Sequence, residues 1–415
     1  MIRLLSLTLA AFAIGISEFV LVGLLPAIAA DVHTDLGTAG LLVTVYALAI
    51  TVLSPLLTSW LSRHNSRTML AGLMVLFALG NLAVAVSPNL TGLMIGRAVA
   101  GAAHGTVFAL GAPVAASLVS KDKAGRAIAL MFLGLTVAMV VGVPAGTAIG
   151  TAIGWRATFT LVAALGLAAA VTVWALIPSA PGGQGVRVRE QLALLAHRPL
   201  ALTYTVTALG FGATFAVFTY LEPLLARHAG YTTTAITWIL VLFGAATVAG
   251  NLLGGRLTDR RGPVLVIRTA LTGLIISLAA LLITQDHAVA VAVNIAAWGI
   301  FAFLISPAVQ SHAVALASAH GPGAEKAASG LNIAAFNAGI ATASFTGGLV
   351  LDHGDPARTP WVAIALALVA LAATSGIAVR RTTRMDRHPQ QPRGDAPTAQ
   401  RQSFSHHAHQ QDHEF

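Results

Sequence analysis

Ionisable residues stand inside three long apolar stretches of this sequence. Glu18 and Arg97 each lie within such a stretch, and Glu222 lies late in a third. A charged side chain inside hydrocarbon is costly, so such a residue predicts a functional site. A buried carboxylate that loads and releases a proton is what coupling to a proton gradient requires. We therefore predict Glu18 as the favoured proton carrier, Arg97 as its modulating partner and Glu222 as a further candidate.

Each of these residues also has a simpler interpretation. Glu18 and Arg97 could form a static ion pair, because pairing lowers the desolvation cost of both. A helical rise of 1.5 Å per residue places them at similar height, in the half of the membrane away from the chain ends. Glu222 precedes Pro223 and could be an interfacial carboxylate that touches headgroup water.

A spaced pattern continues along the span that contains Arg97. Gly101 and Gly105 follow at i+4 and i+8, which lets a neighbouring helix approach closely. His104 returns to the face of Arg97 about 10 Å deeper, near mid-membrane. It could relay protons or bond substrate, or it could be satisfied by a carbonyl or hydroxyl group of a neighbour. His312 lies near a span end, and a structural role is favoured for it.

Uncharged polar and aromatic residues complete a predicted substrate cavity. Pockets for small organic molecules are mostly apolar with a few placed polar groups. Asparagines are the stronger candidates, because a buried amide without a partner is costly, whereas a lone aromatic ring is more often core packing. The candidates are Phe218, Tyr220, Asn294, Trp298, Asn332, Phe336 and Asn337.

The elements that must position these residues are membrane helices. Of 415 residues, 56% are hydrophobic and 9% charged, whereas soluble domains carry about 25% charged residues. An apolar window of about 20 residues is long enough to cross a bilayer as a helix. We predict an all-α membrane protein with twelve spans, at 4–28, 37–60, 68–86, 90–117, 125–150, 157–178, 200–226, 232–257, 263–284, 288–316, 326–351 and 359–380.

The basic residues predict the orientation of these spans. Twenty of the 24 Lys and Arg residues fall in alternate loops or near the chain ends, and three fall in the intervening loops, Arg156, Arg227 and Arg358. The positive-inside rule then places both termini in the cytoplasm. The same distribution explains the basic charge without a nucleic-acid partner.

A repeat predicts two bundles of six helices. Residues 54–63 align with residues 250–259 at an offset of 196, and Arg63 stands where the repeat has Asp259. We expect an N-terminal bundle at 1–178, a cytoplasmic linker at 179–198, a C-terminal bundle at 199–380 and a disordered cytoplasmic tail at 381–415, whose histidines we interpret as solvated. Duplicated halves are typical of transporters, with the substrate site near mid-membrane between them.

The sequence lacks the residues and motifs that several other classes of protein require. The sequence has no cysteine, which removes thiol catalysis and Cys-ligated metals. It contains neither a GxxxxGK[ST] phosphate loop nor a HExxH zinc pair. We therefore expect no enzyme activity, no metal and no cofactor, and the energy should come from an ion or substrate gradient, with a proton gradient favoured by the buried carboxylates.

Three motifs resemble those of the major facilitator superfamily. Residues 255–262 resemble its cytoplasmic loop signature, residues 97–105 its span-4 motif, and residues 134–150 the span-5 motif of drug:proton antiporters, which separates exporters from uptake members. The motif residues predicted to set gating geometry are Gly101, Gly105, Gly142, Pro144, Gly146, Gly150, Gly255, Asp259, Arg260 and Gly262.

Further stretches resemble one bacterial branch of that family, which contains arabinose and sugar, purine, and chloramphenicol efflux proteins. These stretches are 17–19, 154–156, 219–223 and 332–337, and the likeness covers 5–380. It implies alternating access and export of a drug or metabolite against inward proton flow, by a protein of a bacterial inner membrane that we expect to be a monomer. Because the predicted cavity contains few charges, we expect small neutral or amphiphilic substrates, such as a phenicol-type antibiotic. Sugar or purine export and, less favoured, an uptake symporter are the alternatives; a membrane sensor, a scaffold or a membrane enzyme is disfavoured further.

Overall fold

A computed structural model of the chain describes residues 1–61, 63–120, 124–180, 188–318, 324–352 and 354–377. The predicted tail at 381–415, with its histidines, lies outside this part. Twelve helices in the described residues are long and apolar enough to cross a membrane, so the all-α, twelve-span prediction is confirmed. The α-helices are α1 (Ile2–Phe19), α2 (Leu21–Asp31), α3 (Leu36–Leu61), α4 (Ser66–Val86), α5 (Leu90–Ser117), α6 (Ala124–Val137), α7 (Val143–Ile153), α8 (Trp155–Leu176), α9 (Val188–Leu195), α10 (Arg198–Phe218), α11 (Leu221–Arg227), α12 (Thr233–Arg261), α13 (Pro263–Thr284), α14 (Ala288–Ala317), α15 (Ala324–Asp352) and α16 (Thr359–Ile377).

Short connections make successive spans run in opposite directions. We call the end of the bundle that holds Ile2 and Ile377 the terminal face and the opposite end the distal face; the prediction that the terminal face is cytoplasmic stays a prediction. Asparagine caps fix two of the helix starts. Asn65 accepts a hydrogen bond from Arg67 N at 3.1 Å, and Asn89 accepts one from Gly92 N at 3.0 Å, which satisfies backbone donors that have no partner within the helix.

The first and seventh spans are each divided into two helices, where the sequence predicted continuous spans at 4–28 and 200–226. The first span breaks at Val20, between α1 and α2, and the seventh breaks at 219–220, between α10 and α11. Pro223 stands in the first turn of α11, where a missing N–H costs no helical hydrogen bond. Glu18 and Phe218 each lie within two residues of such a break.

The fifth span changes its helical pitch before a proline. Residues 138–142 form a π-helical segment between α6 and α7, and Pro144 is the second residue of α7. Proline cannot donate a backbone hydrogen bond to the preceding turn, and π segments in α-helices often occur at functional sites. The fifth span therefore contains one widened turn immediately before Pro144, one of the residues predicted to set gating geometry.

The predicted linker at 179–198 contains a short helix, α9. Leu194 of α9 is buried in a cluster with Leu200 and Tyr204 of α10. This packing joins α9 to α10, while residues 181–187 of the predicted linker lie outside the described residues. The division of the chain into two bundles at this linker remains a prediction; below, N-half denotes α1–α8 and C-half denotes α10–α16.

The outer surface of the bundle is apolar. Val86, Trp238 and Val289 are 70%, 68% and 80% exposed, although side chains of these types are normally withdrawn from water. In a bundle of membrane-spanning helices, such exposed apolar side chains face lipid.

Candidate functional site

Arg97 lies fully buried in α5 and is surrounded by carbonyl groups and one aromatic ring. Its Nη1 donates to the Ser17 carbonyl at 2.7 Å, and its Nε donates to the Leu42 carbonyl at 3.3 Å. The guanidinium carbon lies 3.8 Å from the centre of the Tyr46 ring, a cation–π contact. The charge is thus held by backbone dipoles and a ring face, on helices α1 and α3.

Glu18 lies in the last turn of α1, next to the carbonyl that Arg97 binds, and is 8% exposed. The two side chains interact electrostatically, but no ion pair joins them among the described residues. The static pair considered from the sequence is therefore absent, because Arg97 spends its Nη1 and Nε donors on carbonyl groups. Arg97 Nη2 is buried without a hydrogen-bond partner. The arrangement leaves a carboxylate and a cationic donor in one buried pocket.

His104 connects to this group through Tyr46, which the sequence analysis missed. The Tyr46 hydroxyl and His104 Nδ1 lie 3.1 Å apart, and His104 also packs against Phe108 with ring centres 5.1 Å apart. The polar group continues into α4, since Ser17 Oγ donates to Asn81 Oδ1 at 2.7 Å. The chain has only four tyrosines, and a tyrosine and an asparagine in the middle of spans were the signals available.

Glycines set the helix spacing around this group. A Cβ atom at Gly101 would lie 2.5 Å from the Tyr46 carbonyl oxygen, and one at Gly105 would lie 2.7 Å from Ser54 Cβ. These glycines therefore let α5 approach the backbone of α3 closely. The span-5 glycines play the same part toward the first span. Gly142, Gly146 and Gly150 face Ile16, Val20 and Leu24 in that order.

Aromatic side chains form one wall of a cleft between the halves. Phe218 stacks on Phe243 with ring centres 4.6 Å apart, and Trp298 packs on Phe243 at 5.1 Å. Trp298 Nε1 is buried without a hydrogen-bond partner among the described residues. The cleft is narrow in this closed arrangement, with room for about one water molecule, and it is lined by Phe19, Met139, Val143, Phe218, Leu240, Phe243 and Gly244. Phe218 and Trp298 thus lie at or directly behind the lining of a mainly apolar site.

Two further candidates lie together against α10. Asn332 accepts a hydrogen bond from Thr207 at 2.7 Å and donates to Gln310 at 2.7 Å. Phe336, one helical turn away, meets Phe211 with ring centres 4.2 Å apart. The amide of Asn332 is therefore already occupied by protein partners that the sequence analysis did not name.

Other candidates fall in different places. Asn337 donates to its own helix and keeps a buried, unpartnered Oδ1, and His312 is 4% exposed with an unpartnered Nε2. Asn294 does not join the cleft, because its amide donates to the Ser277 carbonyl at 3.0 Å and so ties α14 to α13. Glu222 lies half-buried in the first turn of α11, where the charge acting on it is Arg227.

The loop motif lies at the terminal face. Asp259 and Arg260 are exposed near the end of α12, and Gly255 is open enough that an added Cβ would meet nothing within 4 Å. Gly262 has a φ of 82°, a conformation that favours glycine. Among these four motif residues, the structure therefore gives a local backbone reason for Gly262 alone.

The two halves touch toward the distal face. Tyr220, predicted to line the cavity, instead donates to the Ser344 carbonyl at 2.7 Å and lies against Gly40 of α3. Helix α11 packs against α2, and α12 meets the fifth span at its π segment and at α7, the distal part of that span. The bundle is thus closed above the cleft on its distal side.

Comparisons with known proteins agree with this architecture. The sequence matches the family described as Major Facilitator Superfamily over residues 7–324 and 204–409. It is 38% identical to the inner membrane transport protein YdhP of Escherichia coli (strain K12), over 85% of this chain and 89% of that protein. It is 36% identical to a chloramphenicol resistance protein of Streptomyces lividans, over 88% of this chain and 93% of that one.

A solved structure shows the same fold. The crystal structure of a D-xylose-proton symporter superposes with a TM-score of 0.74 at 15% sequence identity, covering 91% of this chain and 99% of that one. Together with the sequence matches and the twelve spans, this makes the chain a multi-pass inner-membrane transporter of small molecules that belongs to the major facilitator superfamily.

Proposed function

We propose that this transporter exports small neutral or amphiphilic compounds in exchange for protons, with Glu18 as the proton carrier. The observation that carries the proposal is the Glu18 carboxylate itself. It is nearly buried and makes no hydrogen bond or ion pair to another described residue, while Arg97 lies close enough to act on it electrostatically. A carboxylate without a protein partner is available to take up and release a proton.

The substrate class rests on the cleft. Its lining is apolar and aromatic, with Phe19, Phe218 and Phe243 from both halves, and it offers few charged groups. Such a wall favours neutral or amphiphilic molecules over sugars, whose hydroxyl groups need many hydrogen-bond partners. The similarity to a chloramphenicol resistance protein supports a phenicol-type drug as the first substrate to test, with sugars and purine bases as the alternatives.

The test is proton-driven transport in everted membrane vesicles. We expect native protein to accumulate labelled chloramphenicol when a pH gradient is imposed, and Glu18→Gln to abolish this uptake while keeping substrate exchange without a gradient. Glu325→Gln, an exposed carboxylate at the start of α15, is the matched control and should behave as native. Gradient-driven uptake that survives in Glu18→Gln, but is lost in Glu222→Gln, would move the carrier to Glu222.

A further inference from the structure

One histidine joins three connections of the C-half at the distal face. His228 follows α11; its Nδ1 lies 2.9 Å from Asp286 Oδ1, and its Nε2 lies 2.6 Å from Asp355 Oδ1. Asp286 belongs to the connection between α13 and α14, and Asp355 to the connection between α15 and α16. The His228 side chain is only 20% exposed. A single imidazole ring thus holds the end of α11 to two other parts of the C-half.

The chemistry of the ring makes this contact depend on a proton. A carboxylate can only accept hydrogen bonds, and a neutral imidazole has one N–H group. The neutral ring can therefore donate to one aspartate and must turn a lone pair toward the other, whereas the imidazolium donates to both. We propose that His228, Asp286 and Asp355 form a second proton-binding site, which holds the end of α11 when a proton is bound and releases it when the proton leaves.

The charges around the ring favour the bound proton. The hydrogen bond to Asp355 and then that to Asp286 raise the pKa of His228, against partial burial, which lowers it. Arg227 precedes the ring on α11 and acts on Asp355. The remaining titratable or charged neighbours in the three connections are Tyr231, whose hydroxyl donates to the backbone, and the exposed His287 and Arg358; His353 lies outside the described residues.

Helix α11 is the element through which this proton site would act on transport. It carries Tyr220 at its start, packs against α2 of the N-half, and so takes part in the closure at the distal face. A bound proton at His228 keeps α11 in the position that closes the bundle. The proton site rests on the contacts above; only its effect on transport rests on the proposed export cycle.

The N-half contains a corresponding tie that does not titrate in the same range. Arg156, the second residue of α8, pairs with Asp31 at the end of α2 and donates to the Ser87 carbonyl after α4 at 3.0 Å. In each half, the tie joins residues at the three distal connections, which lie between the first and second, the third and fourth, and the fifth and sixth spans of that half. Arginine keeps its charge at all physiological pH values, so only the C-half tie responds to a proton.

The test measures the distal closure directly and without substrate. Because the chain has no cysteine, spin labels at Ala30→Cys and Ala226→Cys, both exposed on α2 and α11, report the distance across the closure by double electron–electron resonance. We expect a narrow short distance at about pH 5.5 and a growing longer population by about pH 8, the range over which a histidine loses its charge. The ratio of the short-distance to the long-distance population should change by at most about tenfold per pH unit, because a single proton binds or leaves.

Variants assign the response to this site. His228→Asn should show the longer population at both pH values, and His228→Arg should keep the short distance at both. Asp286→Ala leaves one aspartate for a neutral ring and should weaken the pH response while the fold is kept. His33→Asn is the matched control, an exposed distal histidine with a φ of 52° that asparagine also adopts; it should respond as native.

Two results would overturn the proposal: a distance that does not change with pH in native protein, or an unchanged pH response in His228→Asn. The measurements are repeated in a Glu18→Gln background, where proton-driven export should be lost. A pH response that persists there separates the His228 site from the proposed carrier. Failure of the export assay therefore leaves the His228 result standing, and the reverse holds as well.

Discussion

The Arg97 guanidinium lies over the ring of Tyr46, 3.8 Å from its centre, while the hydroxyl of the same ring lies 3.1 Å from His104. One side chain of α3 thus joins two polar residues of α5. Helix α3 also packs along α15 of the other half, where Thr51 donates to the Ala334 carbonyl at 3.2 Å. Tyr46 therefore connects the buried polar group to a helix at the interface between the halves, and a change at this ring should reach both.

We expect the ring and the hydroxyl of Tyr46 to contribute separately. Tyr46→Phe loses one hydrogen bond and should lower the unfolding free energy by about 1 kcal/mol. Tyr46→Leu also loses the cation–π contact and should cost about 2 kcal/mol more, because the guanidinium is desolvated. Thermal unfolding in detergent measures both effects, and gradient-driven efflux should fall several-fold further in Tyr46→Leu than in Tyr46→Phe.

The control for the hydroxyl is Tyr231→Phe, which removes a hydrogen bond from the connection between α11 and α12 to the Ala288 carbonyl at the start of α14. It should lower stability without reducing efflux. Equal effects of Tyr46→Phe and Tyr46→Leu would show that the ring face does not hold Arg97.

Gly244 should decide how closely the halves meet. It lies in α12 against the π segment of the fifth span, and a Cβ there would lie 2.6 Å from the Met139 carbonyl oxygen. Gly244→Ala should therefore disfavour the distally closed state and slow transport by about tenfold or more. The contact is between two helix backbones, which cannot move apart without separating the helices. Spin-label distances across the distal face should lengthen in this variant.

Gly72→Ala provides the comparison, because a Cβ at Gly72 of α4 meets nothing within 4 Å. Alanine in an open helical position is neutral or stabilising, by up to about 1 kcal/mol. Native distances and native transport in Gly244→Ala would show that the two helices separate more easily than their contact indicates.

The stability that His228 provides should depend on pH. The pKa of His228 is raised in the folded protein from an ordinary value of 6.5. Burial raises the pKa of Asp355, but hydrogen bonds from Ala357 N and His228 outweigh it, so that the pKa of Asp355 is lowered from 3.8. A raised histidine pKa stabilises the fold fully below 6.5 and loses this effect as the pH rises through the folded value. The lowered pKa of Asp355 stabilises the fold above 3.8 and is lost as the pH falls through its folded value.

Both contributions are therefore complete between about pH 3.8 and 6.5. The difference in melting temperature between native protein and His228→Asn should be largest within that window and should shrink as the pH rises above it. A difference that grows toward alkaline pH would contradict the assignment of the proton to His228.

Asp31→Asn tests the corresponding tie of the N-half. The Arg156 and Asp31 side chains are 39% and 41% exposed, and exposed ion pairs contribute about 1 kcal/mol or less. We expect a small loss of stability that is the same at pH 5.5 and pH 8, because this tie contains no histidine. A loss confined to acidic pH would place a titrating group at this tie as well.

The amino-acid sequence by itself determined the number and length of the spans. The thickness of the hydrocarbon layer sets how many consecutive apolar residues a helix needs to cross it, and this count can be made along the sequence. It also singled out Glu18 and Arg97, since the cost of a charge in lipid depends on the span and not on its neighbours. Glycines at regular spacing likewise marked the faces on which helices meet.

Only the tertiary structure decided what these residues contact. Arg97 is held by carbonyls of α1 and α3 and by Tyr46, whereas Asn294 belongs to a helix pair away from the cleft. The partners of each side chain depend on how its helix is rotated and on the distance to the neighbouring helices. The contacts of His228 with Asp286 and Asp355 join positions far apart in the chain. Hydropathy and periodicity are local properties, and they carry no information about which distant helix lies opposite.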